Sequence, residues 1–203
     1  MKELIRDTYE QLRIQRWDDH RYYHHSRINQ SLHFVSAASF LTAYALVFFQ
    51  PVIATLIGWL LAMTARQSGH FFFEPKGYDH VNQATHEHKE AIKVGYNLRR
   101  KVLLYVAVLL APLPLLVDRT YLGIFPSEEL LHNVAMVWLV VGIGGLLFRT
   151  VHLFFLYDVR TGLVWMMKIL TDPFHDLKLY CKAPLALMRG ELIDPMHAQN
   201  RAA

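Results

Sequence analysis

Long apolar runs alternate with clusters of charged residues along this chain. Runs of this length and composition are typical of transmembrane helices, which need about 20 apolar residues. The first two meet at Gln50-Pro51, where proline lacks an amide donor and a tight turn is predicted. The second run continues as far as Phe73 if its polar residues lie at a membrane boundary. The four runs occupy residues 32–49, 52–65, 102–117 and 133–157.

The basic residues between these runs predict an orientation. Lys and Arg number six before residue 32, none at the first turn, seven in 66–101, one in 118–131 and six after 157. Because Lys and Arg are enriched in cytoplasmic loops, this alternation predicts four spans with both termini cytoplasmic. The first two runs are short for complete spans, so a re-entrant or interfacial hairpin is the alternative.

The chain after the fourth run is amphipathic and not apolar throughout. From Thr161 to Arg189, apolar residues mix with Lys178, Lys182 and Asp172-Pro173, which predicts one or two helices on the membrane surface. The predicted fold is an all-α, polytopic membrane bundle in a bacterial inner membrane or the endoplasmic reticulum. Its single domain divides into an N-terminal segment, a hairpin, a histidine-rich loop, a second hairpin and an interfacial C-terminal region: 1–31, 32–73, 74–101, 102–157 and 158–203.

Composition narrows the function classes. The 203 residues carry a formal net charge of +4, but the basic residues form no stripe with interleaved aromatics, so a nucleic-acid partner is not expected. One cysteine, Cys181, excludes an internal disulfide framework and a CxxC metal site. Twelve histidines are several times more than ordinary usage predicts, and they direct attention to metal chemistry.

Two short motifs place histidines at helical spacing beside the first hairpin. They read Tyr23-His24-His25-x-x-x-Asn29-x-x-x-His33 and Gln67-x-Gly69-His70-x-x-Phe73-Glu74. Residues at i, i+3, i+4 and i+7 share one helical face, so each motif predicts one polar face. In an antiparallel hairpin centred near Pro51, the position opposite His33 is Ser68, less than one turn from His70. The two motifs are therefore expected to meet at one depth on the cytoplasmic side.

Imidazole and carboxylate groups beside a membrane are costly unless they pair with each other or bind an ion. Imidazole together with carboxylate suits iron, zinc, manganese or a similar ion, and a histidine-rich set with open positions suits oxygen chemistry at iron. Asn29, Gln67 and Glu74 share helical faces with candidate ligands, and we predict that these three are catalytic residues. The candidate metal ligands are the motif histidines and those of the following loop: His24, His25, His33, His70, His80, His86 and His88.

At these motifs the chain resembles the membrane-bound 2-hydroxy fatty acid dioxygenases, the iron-dependent α-oxidation enzymes of the fungal endoplasmic reticulum. That family has a Tyr-His-His-x-x-x-Asn-x-x-x-His element followed by a Gln-x-x-Gly-His-like element with Phe-Glu. Here one residue fewer separates Gln67 from Gly69. The chain also departs from the family at 75–80, where Pro75-Lys76-Gly77 replaces a basic-basic-Pro-Ala stretch.

The resemblance implies an Fe(II) cofactor, with His25, His33 and His70 as the foremost ligands. It further implies that a 2-hydroxy fatty acid binds through its carboxylate and hydroxyl, and that molecular oxygen shortens it by one carbon. Two alternatives remain open: a diiron lipid hydroxylase or desaturase, and a non-enzymatic metal-binding membrane protein. Metal stoichiometry separates the first alternative, and lipid turnover separates the second.

Overall fold

A computed structural model of the protein describes residues 2–125 and 129–195, and it is built from α-helices. A π-helical segment, Ile57–Met63, joins the helices Pro51–Leu56 and Thr64–Phe73 without a break, and a 3₁₀ turn, Leu113–Leu116, follows the helix Leu98–Leu110. Within those two ranges the backbone forms no β-sheet, and the predicted all-α class is confirmed. The helices are α1 (Lys2–Tyr23), α2 (Arg27–Leu46), α3 (Pro51–Leu56), α4 (Thr64–Phe73), α5 (His86–Ile92), α6 (Leu98–Leu110), α7 (Leu130–Leu156), α8 (Val159–Tyr180) and α9 (Ala183–Met188).

Local sequence explains where the helices begin. The Ser26 hydroxyl accepts a hydrogen bond from the Ile28 amide at 3.2 Å, and so caps α2. Asp158 caps α8 in the same way, its Oδ1 accepting from the Thr161 amide at 2.6 Å. Pro51 occupies the first turn of α3, where its missing amide proton costs nothing.

Some helices are as long as the predicted membrane spans, and others are shorter. Chain 51–73 is helical throughout, as expected for the second arm of the first hairpin. By contrast, α6 has 13 residues, about 20 Å, and ends ahead of Pro112 and Pro114. Among the described helices, only α7 passes a length-and-composition test for crossing a membrane. The four-span arrangement therefore remains a prediction.

The bundle is organised around α2, which packs against α4, α8, α9 and the π-helical segment. Helix α7 packs against α8 and α3, and α1 lies along α8. The C-terminal region was predicted to lie on the membrane surface as one or two helices. Two helices are present, and α8 is amphipathic: one face packs against the bundle and buries Lys168, Asp172 and Asp176, while its other face is exposed. Residues 196–203 of that region lie outside the described chain.

Many polar side chains are buried in the bundle, and many large apolar side chains are exposed. Buried side chains include Asn29, Gln30 and Ser36 of α2. Large apolar side chains are exposed on the outside of the hairpins, among them Phe48, Phe72, Leu103, Val117 and Phe155. The polar groups that define the site thus lie inside the bundle.

Candidate metal centre

Three histidines from three parts of the chain meet in the bundle interior. His24 lies just after α1, His33 is in the second turn of α2, and His70 is near the end of α4. Their ring centroids are 4.2 Å apart for His24 and His33, 5.0 Å for His33 and His70, and 5.5 Å for His24 and His70. One nitrogen from each lies within 4.8 Å of the others, and the residues are only 4%, 0% and 8% exposed.

Close approach of α2 and α4 makes this meeting possible. A Cβ on Gly69 would lie 2.3 Å from Asn29 Oδ1 and 3.3 Å from a carbon of the His33 ring. The absence of a Cβ at Gly69 thus lets the side chains of α2 pack directly against α4 at the level of His33 and His70. This is the contact that the hairpin geometry predicted, since position 68 was expected to face His33.

Buried amides hold the connection between α1 and α2. Asn29 donates from Nδ2 to the Tyr23 carbonyl at 2.9 Å, and Gln30 donates from Nε2 to the His24 carbonyl at 2.8 Å. Both side chains are nearly inaccessible to solvent. These bonds fix the backbone on either side of His24, so its ring is directed inward.

In each ring, Nδ1 (the outer nitrogen) has a hydrogen-bond acceptor of its own. His24 Nδ1 donates to the Asp19 carbonyl at 2.7 Å, and His70 Nδ1 donates to Glu74 Oε2 at 3.0 Å. His33 Nδ1 lies 3.5 Å from Asp176 Oδ2. An imidazole that binds a metal through one nitrogen typically donates from the other to a carboxylate or carbonyl. All three rings show this arrangement.

The distance between the Nε2 atoms (the inner nitrogens) of His24 and His33 can be compared with the spacing of two nitrogen ligands on one metal ion. His24 Nε2 and His33 Nε2 are 3.1 Å apart. A neutral imidazole carries one N–H, and Nδ1 uses it in both rings, so two lone pairs face each other. A cation between them removes that repulsion. Ligand nitrogens about 2.1 Å from one ion are separated by ~3.0–3.4 Å at angles of 90–109°, so the spacing fits one shared metal ion.

Burial reinforces the neutral, metal-binding form of His24. Its pKa lies well below the usual value because burial penalises the imidazolium and neighbouring His33 adds to this effect. A neutral imidazole retains the lone pair that binds a metal.

Ion pairs surround the centre on two sides. Glu74 accepts a hydrogen bond from Lys93 Nζ at 2.7 Å and lies 3.8 Å from Lys101 Nζ. Burial alone would raise the pKa of Glu74, but Lys101 and Lys93 hold it below the ordinary value. Burial also lowers the pKa of Lys101 to about 8, although Glu74 opposes that shift.

On the opposite side, carboxylates of α8 pair with cations from three helices. Asp172 lies 2.8 Å from Lys168 Nζ and 3.1 Å from Arg16 Nε, and Asp176 lies 3.1 Å from Arg66. Lys168 also pairs with Asp19. Burial alone would lower the pKa of Lys168, but Asp172 and Asp19 raise it above the usual value. A small cleft opens here beside His24.

The structure corrects the predicted position of His25. Because α2 begins at Arg27, His25 is not on the helical face shared by Asn29 and His33. Its Nε2 hydrogen-bonds the Arg21 carbonyl and lies 3.4 Å from Asp79, so the ring is directed away from the centre. His24 occupies the place that was assigned first to His25. The sequence favoured His25 because an unbroken helix was assumed from residue 25.

The loop histidines also lie outside the centre. His80 is exposed and packs against the Tyr78 ring, with centroids 4.9 Å apart. His86 and His88 are exposed in the first turn of α5, and His88 packs against Tyr22. None of these three joins the group of ligands found among the described residues.

The structure places the predicted catalytic residues differently: Glu74 and Asn29 contact the centre, and Gln67 lies three residues before His70 on α4. Glu74 accepts from His70, and Asn29 lies against Gly69. The carbonyl oxygens Asn29 Oδ1 and Gln67 Oε1 are buried without a hydrogen-bond partner in the described chain. Of the three, Glu74 is the one that hydrogen-bonds a triad imidazole in the described chain.

Sequence reasoning missed the contribution of α8. Asp176 and Tyr180 lie next to the His33 ring, and Asp172 and Lys168 continue the same face. The spacing 168, 172, 176 and 180 is a four-residue repeat of ionisable groups inside an amphipathic stretch. That four-residue repeat could have indicated, from the sequence alone, that α8 contributes to the site.

Comparison with known proteins gives no neighbour: no family model, curated protein or solved structure matches the chain.

Proposed function

We propose that the protein is a membrane-bound, Fe(II)-dependent dioxygenase that shortens 2-hydroxy fatty acids by one carbon at the cytoplasmic membrane boundary. The observation that carries the proposal is the buried triad of His24, His33 and His70, whose outer nitrogens are all engaged and whose inner nitrogens converge. The identity of the substrate comes from the motif resemblance.

The donor set favours one metal ion with open positions. Three neutral imidazoles suit zinc, iron or copper, and the resemblance selects Fe(II) among them. A two-metal site needs ligands for ions about 3.5–4 Å apart. Three histidines form the whole ligand group within the described chain, so the arrangement favours a mononuclear site over the diiron alternative.

Bound Fe(II) would supply the redox chemistry that lets O2 cleave the C1–C2 bond of the acid. The overall reaction balances as 2-hydroxy acid plus O2 giving the fatty acid one carbon shorter, CO2 and water. Asp176, Glu74 and the Asp19 carbonyl orient the three imidazoles. Asn29 Oδ1 and Gln67 Oε1, which are buried without a hydrogen-bond partner among the described residues, would accept a hydrogen bond from the substrate's hydroxyl.

The outer surface supports a membrane location. Only 28% of the most apolar window of α7 is buried, whereas a core helix of a soluble protein would be mostly buried. Exposed apolar residues also cover α6, which has no buried residue. Patches this large are typical of lipid-facing or partner-facing surfaces. We propose that both hairpins lie in the bilayer, with the termini and the triad on the cytoplasmic side.

The test is iron content together with turnover. Purified wild-type protein should bind one Fe(II) per chain and consume O2 with 2-hydroxypalmitate, releasing CO2 and pentadecanoate. His70→Ala should lose both iron and turnover, while His80→Ala, a loop histidine, should keep both.

Three outcomes would contradict the proposal. Two irons per chain would indicate the diiron alternative. One iron without lipid turnover would indicate a non-enzymatic metal-binding protein. Equal losses in His80→Ala and His70→Ala would mean that the triad is not the metal site.

A further inference from the structure

Helix α8 directs a row of apolar side chains outward. Four of them are 41–60% exposed and follow one another at helical spacing, and we call them the outer stripe: Leu163, Met167, Leu170 and Phe174. Positions i, i+4, i+7 and i+11 share one side of a helix, so the stripe is continuous over about 16 Å.

The inner face of α8 carries ionisable groups, and the outer stripe is left uncovered. Lys168, Asp172 and Asp176 are buried on the inner side, where they form the ion pairs described above. An amphipathic helix packed on a core usually buries its apolar stripe. Contiguous exposed apolar patches are typical of surfaces that bind lipid or a protein partner. The outer stripe is therefore a candidate contact surface.

Unpaired cations continue the outer stripe toward α9. Lys178 follows Phe174 by four residues, Lys182 follows Lys178 by four, and Arg189 comes directly after α9. We call Lys178, Lys182 and Arg189 the basic group. All three are exposed, and none forms an ion pair or a side-chain hydrogen bond within the described chain. Lys168 of the inner face, by contrast, has two carboxylate partners. The basic group is thus free to bind an external anion.

The chain around the basic group is both apolar and positively charged. Large apolar side chains that are 50–85% exposed accompany it: Leu185, Met188, Leu192 and Ile193. Within 159–195, four of the five exposed charged side chains are cations, and the fifth is Glu191. Cations combined with exposed apolar side chains are typical of helices that lie at the boundary between lipid head groups and acyl chains.

Charge favours a bilayer over a second copy of this chain as the partner. In a symmetric dimer the same patch faces itself, so the basic group of one copy would meet that of the other. Like charges brought together in an interface repel. The phosphates of anionic lipids complement the cations, and the acyl chains cover the apolar side chains.

We propose that the outer face of α8 and α9 binds an anionic bilayer surface, with the outer stripe among the acyl chains and the basic group at the lipid phosphates. This assignment goes beyond the proposed reaction, because no residue of this face belongs to the triad. It also adds a preference for lipid charge, which the membrane location of the hairpins does not imply.

The single cysteine lies where the two kinds of side chain meet. Cys181 is exposed and stands between Lys178 and Lys182 in the sequence. Full-length protein labelled there with bimane is reconstituted into vesicles of equal phosphatidylcholine and phosphatidylglycerol. One lipid or the other carries bromine on its acyl chains and quenches the fluorophore. The ratio of the two quenching values measures which lipid is enriched beside Cys181.

Wild type should be quenched at least about threefold more by phosphatidylglycerol, since each cation near an anionic surface contributes up to about fivefold in affinity. The triple variant Lys178→Gln/Lys182→Gln/Arg189→Gln should lose this preference. High salt should reduce it in wild type, because salt screens the cations. Phe174→Glu, in the outer stripe, should lower the quenching by both lipids several fold.

Two controls use exposed side chains away from this face. Lys76→Gln removes a cation from the loop after α4 and should keep the wild-type ratio. Glu87→Cys combined with Cys181→Ser moves the fluorophore to α5 and should give little quenching by either lipid. Circular dichroism checks the folding of each variant. If the triple variant fails to fold, Lys178→Gln alone should still reduce the preference measurably.

The outcomes separate this surface from the dioxygenase proposal. Equal quenching by the two lipids in wild type refutes the assignment, and so does a preference that survives the triple substitution. Little quenching by either lipid, with a disulfide forming between Cys181 of two copies, shows that a second copy covers the face and also refutes it. None of these readouts depends on iron or on O2 consumption, so the proposed reaction can fail while the lipid surface stands.

Discussion

The interior bounded by α1, α2, α4 and α8 is polar, whereas the α6–α7 hairpin exposes apolar side chains over most of its surface. The first region buries His33, Asn29 and Asp172. The second exposes Leu103, Val117 and Phe155, and α6 has no buried residue. Polar side chains are thus concentrated in the interior of one region, and apolar side chains on the surface of the other. Buried polar atoms lie where other protein atoms or an ion can pair with them, and the exposed apolar atoms form the kind of patch that is typical of lipid-facing or partner-facing surfaces.

The largest expected effect comes from changing a ligand of the polar interior. His24→Ala should reduce iron affinity by more than about hundredfold, since even outer partners of metal ligands contribute 10–100-fold. His25→Ala is the matched control, because its ring is directed toward Arg21 and Asp79. Iron content after dialysis against a graded chelator series measures both. A greater loss in His25→Ala would restore the helical face predicted from sequence and contradict the structure.

The next largest effect is on the free energy of unfolding, compared between the polar interior and the exposed face of α6. Asp172→Asn leaves Arg16, Lys168 and Arg66 without a shared carboxylate, and should lower the free energy of unfolding by about 3–5 kcal/mol. Leu103→Ala, on the exposed face of α6, should change it by less than about 0.5 kcal/mol in detergent. Denaturant titration in one detergent compares them. Similar losses for both variants would mean that the α6 face is packed against protein.

The smallest effect compares two helical glycines. Gly69→Ala places a Cβ 2.3 Å from Asn29 Oδ1, so the buried Asn29 side chain, which bonds the Tyr23 carbonyl, must shift, at a cost of about 1–3 kcal/mol. Gly144→Ala meets nothing within 4 Å and should stabilise α7 by up to about 1 kcal/mol through helix propensity. Thermal unfolding of the two variants gives the difference. Iron affinity should fall in Gly69→Ala only, and an unchanged value there would disconnect the glycine from the metal centre.

The sequence predicted the contact between the two motifs because a hairpin relates residues at equal distances from its turn. Pro51 marks that turn, and the structure indeed brings His33 next to His70. The same reasoning failed for His25, since a helix boundary at Ser26 rotates the residues on either side independently. One cap decides which of two adjacent histidines joins the centre.

Loop chemistry was less predictable than helix chemistry. His80, His86 and His88 were expected to reach the membrane boundary and join the candidate ligands. The fold of 74–97 depends on contacts between residues distant in the sequence pattern, such as Lys89 donating to the Gly77 carbonyl at 3.1 Å. No periodicity in the sequence records such contacts, so the positions of these side chains depend on tertiary packing.

Sequence alone determined the all-α class, the turn at Pro51 and the pairing of the two motifs, because each follows from periodicity and local backbone chemistry. Only the tertiary structure decided that His24 replaces His25, that α8 supplies Asp176 and Tyr180, and that the apolar side of α8 faces outward. Those facts depend on how distant helices rotate and dock. Docking is set by summed packing and ion pairing over the whole bundle, which no local stretch of sequence encodes.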